Sequence, residues 1–288
     1  MAPPVKVAVI GAGVAGLTAA RALKEEGLQV SVYEKMDRLG GTWVYDPRVE
    51  SDPLGLDPDR EVVHGSLYPS LRTNIPRQLL GFSDYPFGSR KNGDSRIFPG
   101  HQEMLNFLNE FAEEFGLVEL IRFNTEVVRV ERVGSRNDEW VVESRTGHKY
   151  SEEIFDAVVV CNGHHTQPRL AHFRAVSLVM DLQAKWIAKV MCGKSVLPSQ
   201  EEMLADVERH YQDMAEKGIP KHYTHTLAHE VSYEYMDWLA NQSGTPEVDD
   251  ETKFKCRSYF KFATENGLRR AREWEPIQSL NSHPLPNS

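Results

Sequence analysis

The chain has 288 residues, 42 acidic and 33 basic, so its net charge of −9 argues against non-specific binding to nucleic acid or to an anionic membrane surface. Its length and apolar content suffice for one large core or two modest ones, and no apolar run is long and uninterrupted enough to span a bilayer. Cys161, Cys192 and Cys256 are far apart, form no C-x-x-C pair and fit a reduced cytosol; with no targeting sequence in view, a globular cytoplasmic protein is expected.

An apolar run from Val5 to Ile10 reads as a strand and passes straight into Gly11-Ala12-Gly13-Val14-Ala15-Gly16. Leu17, Ala20, Leu23 and Leu28 then fall at helical spacing, and Gln29 to Tyr33 predicts a second strand ending at Glu34. Strand, G-x-G-x-x-G, helix, strand and acid form a dinucleotide-binding fingerprint. Gly11 permits a tight turn, Gly13 lets the backbone approach a pyrophosphate, and Gly16 lets helix and strand pack closely. Phosphates would sit on the helix N-terminus, where unpaired N–H groups and the positive dipole end favour anions. Glu34 lies about 20 residues on, where a carboxylate accepts ribose hydroxyls and repels a 2′-phosphate. FAD or NAD is therefore expected rather than NADP.

Asp37 to His64 is rich in Asp, Pro and Gly and reads as irregular structure. His101 to Phe115 predicts a helix with Met104, Phe107, Leu108, Phe111 and Phe115 on a core face, stopped by Gly116. Thr125 to Val133 and Trp140 to Ser144 alternate apolar and polar side chains, the pattern of an antiparallel hairpin. Ala157 to Cys161 reads as a buried strand entering a turn at Asn162-Gly163. Beyond Pro168, Val179 to Met191 predicts a helix with Leu182, Trp186, Ile187 and Val190 on one stripe. Ser199 with Glu202 predicts a capping box opening a helix to Lys217. Further helices are expected over His229 to Ala240 and Tyr259 to Trp274, and residues 276–288, rich in Pro, Ser and Asn, read as a disordered tail. The fold class is thus α/β: a Rossmann-like dinucleotide-binding domain (βαβ with an antiparallel hairpin) over 1–170, then a C-terminal helical segment over 171–275.

Gly11 to Leu17, Glu34-Lys35, Leu39-Gly40-Gly41-Thr42-Trp43 and Tyr68-Pro69-Ser70-Leu71-Arg72-Thr73-Asn74-Ile75-Pro76-Arg77 together resemble the flavin-containing monooxygenases. The resemblance extends to the plant branch of S-oxygenating enzymes acting on methylthioalkyl glucosinolates. Gly81 to Phe87, Val159 to His164, Leu182 to Ala188 and Leu197-Pro198-Ser199 also carry it. It implies FAD at the first fingerprint, with Gly11, Ala12, Gly13, Val14 and Ala15 at the pyrophosphate, Gly16 closing the turn and Glu34 on the adenosine ribose. It also implies Gly41, Thr42 and Trp43 along the cofactor, the Val127 backbone near the adenine and Thr73 on the NADP side. Asn74 matches the family's active-site asparagine beside the flavin. The implied chemistry is NADPH- and O₂-dependent oxygenation of a small-molecule thioether or amine through a C4a-hydroperoxyflavin, with the cofactor carrying the hard step.

The sequence also departs from that family. After Gln167-Pro168-Arg169-Leu170 the family continues with an F-x-G-x-x-x-H-x-x-x-Y/F motif and a second glycine fingerprint for NADPH, and neither occurs here. The family's last flavin-facing strand is missing as well, which is expected to leave a sheet edge uncovered. Without a second phosphate cradle the nicotinamide has no holder, so impaired oxygenation is expected, the alternative being a non-catalytic FAD-binding or regulatory fragment. A NAD-binding module is a third reading. No metal site is expected: His222, His225 and His229 lack the glutamate of an H-E-x-x-H motif and sit among solvated residues. Cys161 beside His164 closes an apolar strand and reads as packing, while His164-His165 follow a strand end where α/β sheets bind ligands.

Overall fold

In the computed structural model, which describes residues 4–50, 65, 67–88, 93–133, 139–163, 177–221, 224, 229–266 and 273–275, β1 (Lys6–Ile10) is the centre of a parallel sheet. α1 (Val14–Glu25) crosses back to β2 (Gln29–Tyr33), which pairs with β1 from Lys6↔Gln29 to Ile10↔Tyr33. The two-residue β3 (Ile121–Arg122) extends the sheet on one side and β7 (Ala157–Val160) on the other, giving the order β3-β2-β1-β7. A second, antiparallel sheet has the order β4 (Thr125–Val133), β5 (Glu139–Thr146), β6 (Lys149–Phe155). Ala8, Tyr33, Val142 and Phe155 form a small core where the two sheets meet.

β6 is absent from the sequence reading because its residues are mostly polar and exposed, so no apolar alternation marks it. β7 corrects the expectation of a buried strand. Among the described residues it is an edge strand, its first three residues are only half-buried, and Val160 is 66% exposed.

α2 (His101–Glu114) buries Met104, Phe107, Leu108 and Phe111 in the main core. Its aromatic face meets Phe82, Tyr85 and Phe87 in a ring cluster with centroids 4.7–5.3 Å apart, a spacing at which aromatic pairs add stability beyond their buried area. The irregular reading of Asp37 to His64 holds for its described part, apart from short 3₁₀ turns at Gly41–Trp43 and Pro47–Glu50.

α3 (Ser177–Met191) lies between α1 and α5 (His229–Ser243). Ala184 and Ala188 enter the main core, while Val179 and Leu182 pack with Met236 and Leu239 of α5. Of the expected stripe, Leu182 is buried and Trp186, Ile187 and Val190 are half-buried, since the close approach to α1 is made through alanines. α4 (Gln200–Glu216) begins with the expected capping box, Ser199 Oγ accepting the Glu202 N–H and Glu202 accepting the Ser199 N–H, at 3.2 and 2.8 Å. α6 (Asp250–Asn266) starts nine residues before the predicted Tyr259, because Asp249 caps it through the Thr252 N–H at 2.8 Å. The predicted tail, His164-His165, His222 and His225 lie outside the described residues.

Candidate functional site

β1 ends at the fingerprint turn because Gly11 takes φ +102°, a left-handed conformation that brings its backbone against Cys161 at the end of β7. A side chain at Gly11 would lie 2.5 Å from the Cys161 carbonyl oxygen, and one at Gly16 would lie 1.8 Å from the Gly11 carbonyl oxygen. Both glycines are sterically required. Gly13 differs: at φ −81° it caps α1, and an added Cβ would meet the Gly41 backbone at ordinary contact distance, its Cα at 3.5 Å and its N at 3.9 Å. The bare backbone of Gly13 at the α1 N-terminus therefore packs directly on the 3₁₀ turn at Gly41–Trp43.

That N-terminus has no acidic residue in its first turn, and among the described residues no side chain caps it, which leaves its leading N–H groups suited to an anion. Gly40 N–H donates to the Ala12 carbonyl at 3.0 Å, which docks the Gly41–Trp43 turn on the fingerprint. Trp43 is half-buried against the main core, Thr42 is exposed, and Val14 and Ala15 are half-buried on the first turn of α1.

Glu34 follows β2 and is buried. Its two oxygens accept the Ala12 and Met36 N–H groups, each at 2.8 Å. The carboxylate is thus fixed beside the glycine turn with lone pairs to spare. Burial pushes the Cys161 thiol up to about 12, so it is protonated and packs as a small hydrophobe, as read from the sequence.

The other predicted residues fall on two further segments. Val127 is half-buried on β4, where the pairing with β5 shifts register between Val127 and Arg129. Thr73 is buried, its N–H donating to the Pro99 carbonyl and its hydroxyl to the Ile75 carbonyl, both at 2.9 Å. Asn74 beside it has an exposed side chain. Its backbone carbonyl accepts the hydroxyl of Tyr259, on α6.

Sequence reasoning missed an ionic cluster that ties α3 to α1. Arg21 donates to both oxygens of Asp84 at 2.8 and 2.9 Å and lies 3.7 Å from the Phe115 ring centroid. Lys185 lies 3.2 Å from Asp84 and 3.3 Å from Asp181, and Asp181 accepts both the N–H and the hydroxyl of Ser83. Among the described residues no group of His, Cys, Asp and Glu is arranged to hold a metal ion, and no helix is long and apolar enough to cross a membrane.

A parallel sheet whose glycine turn opens onto an uncapped helix, with a three-stranded antiparallel sheet beside it, defines the FAD-binding class of dinucleotide fold. The family model for flavin-binding monooxygenase-like proteins matches residues 4–175, and the chain belongs to that family, in its plant GS-OX-like branch. Flavin-containing monooxygenase FMO GS-OX2 of Arabidopsis thaliana is 53% identical over 97% of this chain and 66% of its own length. FMO GS-OX-like 7 of the same plant is 56% identical over 57% of this chain, a match spanning 36% of that relative. FMO GS-OX-like 2 aligns over 398 positions at 32% identity, more than the 288 residues here, so it carries internal sequence with no counterpart in this chain. Among solved structures, the S-allyl-L-cysteine S-oxygenase from Allium sativum superposes with a TM-score of 0.83 at 28% identity, covering 95% of this chain and 96% of that one.

Proposed function

We propose that the chain binds FAD at the Gly11–Gly16 turn and carries the flavin half of an S-oxygenating (or N-oxygenating) monooxygenase. The observation that carries this reading is the cradle itself: an uncapped α1 N-terminus beside a Gly13 that has no steric need to be glycine except to admit a ligand. Bound FAD supplies the redox and oxygen-activating chemistry of the family. The chain's own residues hold and shelter it. N–H groups of the first turn of α1 take the pyrophosphate, Glu34 the adenosine ribose, and Gly41, Thr42 and Trp43 the opposite side of the cofactor. The Val127 backbone lies toward the adenine, Thr73 anchors the loop on the nicotinamide side, and Asn74 offers its exposed amide to the reacting face. The substrate class is a small thioether or amine, with methylthioalkyl glucosinolates suggested by the family resemblance and S-allyl-L-cysteine by the name of the Allium sativum enzyme.

Transfer of hydride from NADPH needs a second phosphate cradle, and the sequence contains no second G-x-G-x-x-G. We therefore place this chain as an impaired oxygenase, with a 1–170 FAD-binding domain and a 171–275 helical segment. The missing internal sequence also favours a second reading, a non-catalytic FAD-binding or regulatory fragment. A flavin absorbance spectrum of the purified chain, followed by anaerobic NADPH, separates the readings. Slow bleaching, with weak thioether-dependent turnover once air is admitted, supports the impaired oxygenase; yellow protein that does not bleach supports the non-catalytic fragment, and protein that takes up no FAD overturns both.

A further inference from the structure

The segment bearing Asn74 is held from two sides. On one, the Thr73 N–H donates to the Pro99 carbonyl at 2.9 Å and the Arg77 N–H to the Ile97 carbonyl at 2.8 Å, so both flanks are fixed to the strip leading into α2. Asn74 lies between these anchors, and its carbonyl is met by the hydroxyl of Tyr259, 185 residues away in sequence. The Tyr259 ring is 2% exposed and packs edge-on against Trp274, with centroids 5.6 Å apart and planes at 80°. Leu79, Phe98 and Ala263 complete that small core, and Trp274 is itself fixed by donating to Ser258 Oγ at 3.1 Å. A ring wedged in this way has little freedom, so its hydroxyl acts as a fixed donor.

We propose that Tyr259 is a positioning residue for Asn74: its hydroxyl sets the peptide plane after Asn74, and with it the direction in which the exposed amide projects. The inference rests on the reading of Asn74 as the residue at the flavin. Between the Thr73 and Arg77 anchors, a hydrogen bond to the carbonyl restrains Asn74 ψ and Ile75 φ, the two torsions that turn its peptide plane. Helix α6 thereby contributes to a site that otherwise lies in the first 130 residues.

Tyr259→Phe removes the hydroxyl and keeps the ring. The test uses the full chain as wild type, Tyr259→Phe, Asn74→Ala and the double variant, with three readouts: thermal unfolding, hydrogen exchange over residues 71–79, and visible circular dichroism of bound FAD. The proposal predicts that Tyr259→Phe leaves the unfolding temperature within about 3 °C and speeds exchange over 71–79 roughly fivefold or more, as loss of one hydrogen bond should. It should also shift the flavin signal, and the double variant should shift it no further than Asn74→Ala alone. Unchanged exchange in Tyr259→Phe overturns the proposal, as do additive flavin shifts. Faster exchange with a flavin signal that Asn74→Ala leaves untouched supports the anchoring and overturns the placement of Asn74 at the flavin.

Discussion

Replacing Asp181 by Ala tests how firmly the C-terminal helices are built into the dinucleotide fold. Asp181 is 1% exposed, and its Oδ2 accepts the Ser83 hydroxyl at 2.6 Å, the Ser83 N–H at 3.1 Å and lies 3.3 Å from Lys185 Nζ. Breaking a fully buried ion pair costs about 3–5 kcal/mol. That is an upper bound here, because Lys185 keeps Asp84 at 3.2 Å and the Ser83 hydroxyl at 2.7 Å, and the exposed Ser83 can turn to water. Hydrogen bonds to a charged group are worth about 1.5–3 kcal/mol, so Asp181→Ala should lose about 2–3 kcal/mol. Asp181→Asn, which keeps one acceptor for Ser83 and loses only the charge, should lose about half as much. Urea unfolding followed by far-ultraviolet circular dichroism measures both. Repeating the Ala change on a Lys185→Met background should lower its cost by about 1 kcal/mol, since the pair is in contact. A loss below about 0.5 kcal/mol, the range of ordinary surface substitutions, would refute the reasoning.

Three further outcomes follow from the geometry. Gly16→Ala must move a backbone carbonyl that lies 1.8 Å from the new Cβ, so it should cost at least about 3 kcal/mol and cut soluble yield, read by expression and thermal melting. Glu34→Ala strips the acceptor from the Ala12 and Met36 N–H groups and should lower stability by about 2–3 kcal/mol in the same urea assay. Burial of Glu26 would raise its pKa, but hydrogen bonds from Lys189, Lys194 and the Cys192 thiol outweigh it and hold the carboxyl down at about 2. Because the folded value lies below the unfolded one, its contribution is present above about pH 4.5 and is lost as pH falls toward 2. Glu26→Gln should flatten that part of the acid-unfolding profile, and an unchanged profile would remove Glu26 from the acid response.

The first sheet crossing, α2, the hairpin and the α4 cap were legible because each is fixed by a local pattern: glycine spacing, a helical apolar face, strand alternation, a Ser with a Glu three residues on. β6 and the start of α6 were not, since their residues are mostly polar and their structure is fixed by backbone pairing and by the Asp249 cap. The edge position of β7 depends on what lies beside it, which a run of valines does not encode. In the site, the fingerprint, Glu34 and the Gly41 turn were readable as a unit, and the structure brings them together around Gly13. The contacts that join distant segments, Arg21 to Asp84 and Tyr259 to Asn74, leave no mark at fixed spacing. Ser83, Asp84 and Lys185 did appear within family motifs, which is the one signal that could have pointed to the cluster.

FAD binding at the Gly11–Gly16 turn is tested most directly by Gly13→Ala. The substitution adds a methyl group at ordinary contact distance from Gly41 and at a φ that alanine adopts freely, so the chain itself should fold and melt like wild type. FAD titrated into both proteins and followed by flavin fluorescence should bind the wild type and lose at least about tenfold in affinity for the variant, about 1.4 kcal/mol. Equal affinity in the two proteins, or no FAD binding by the wild type, would contradict the account.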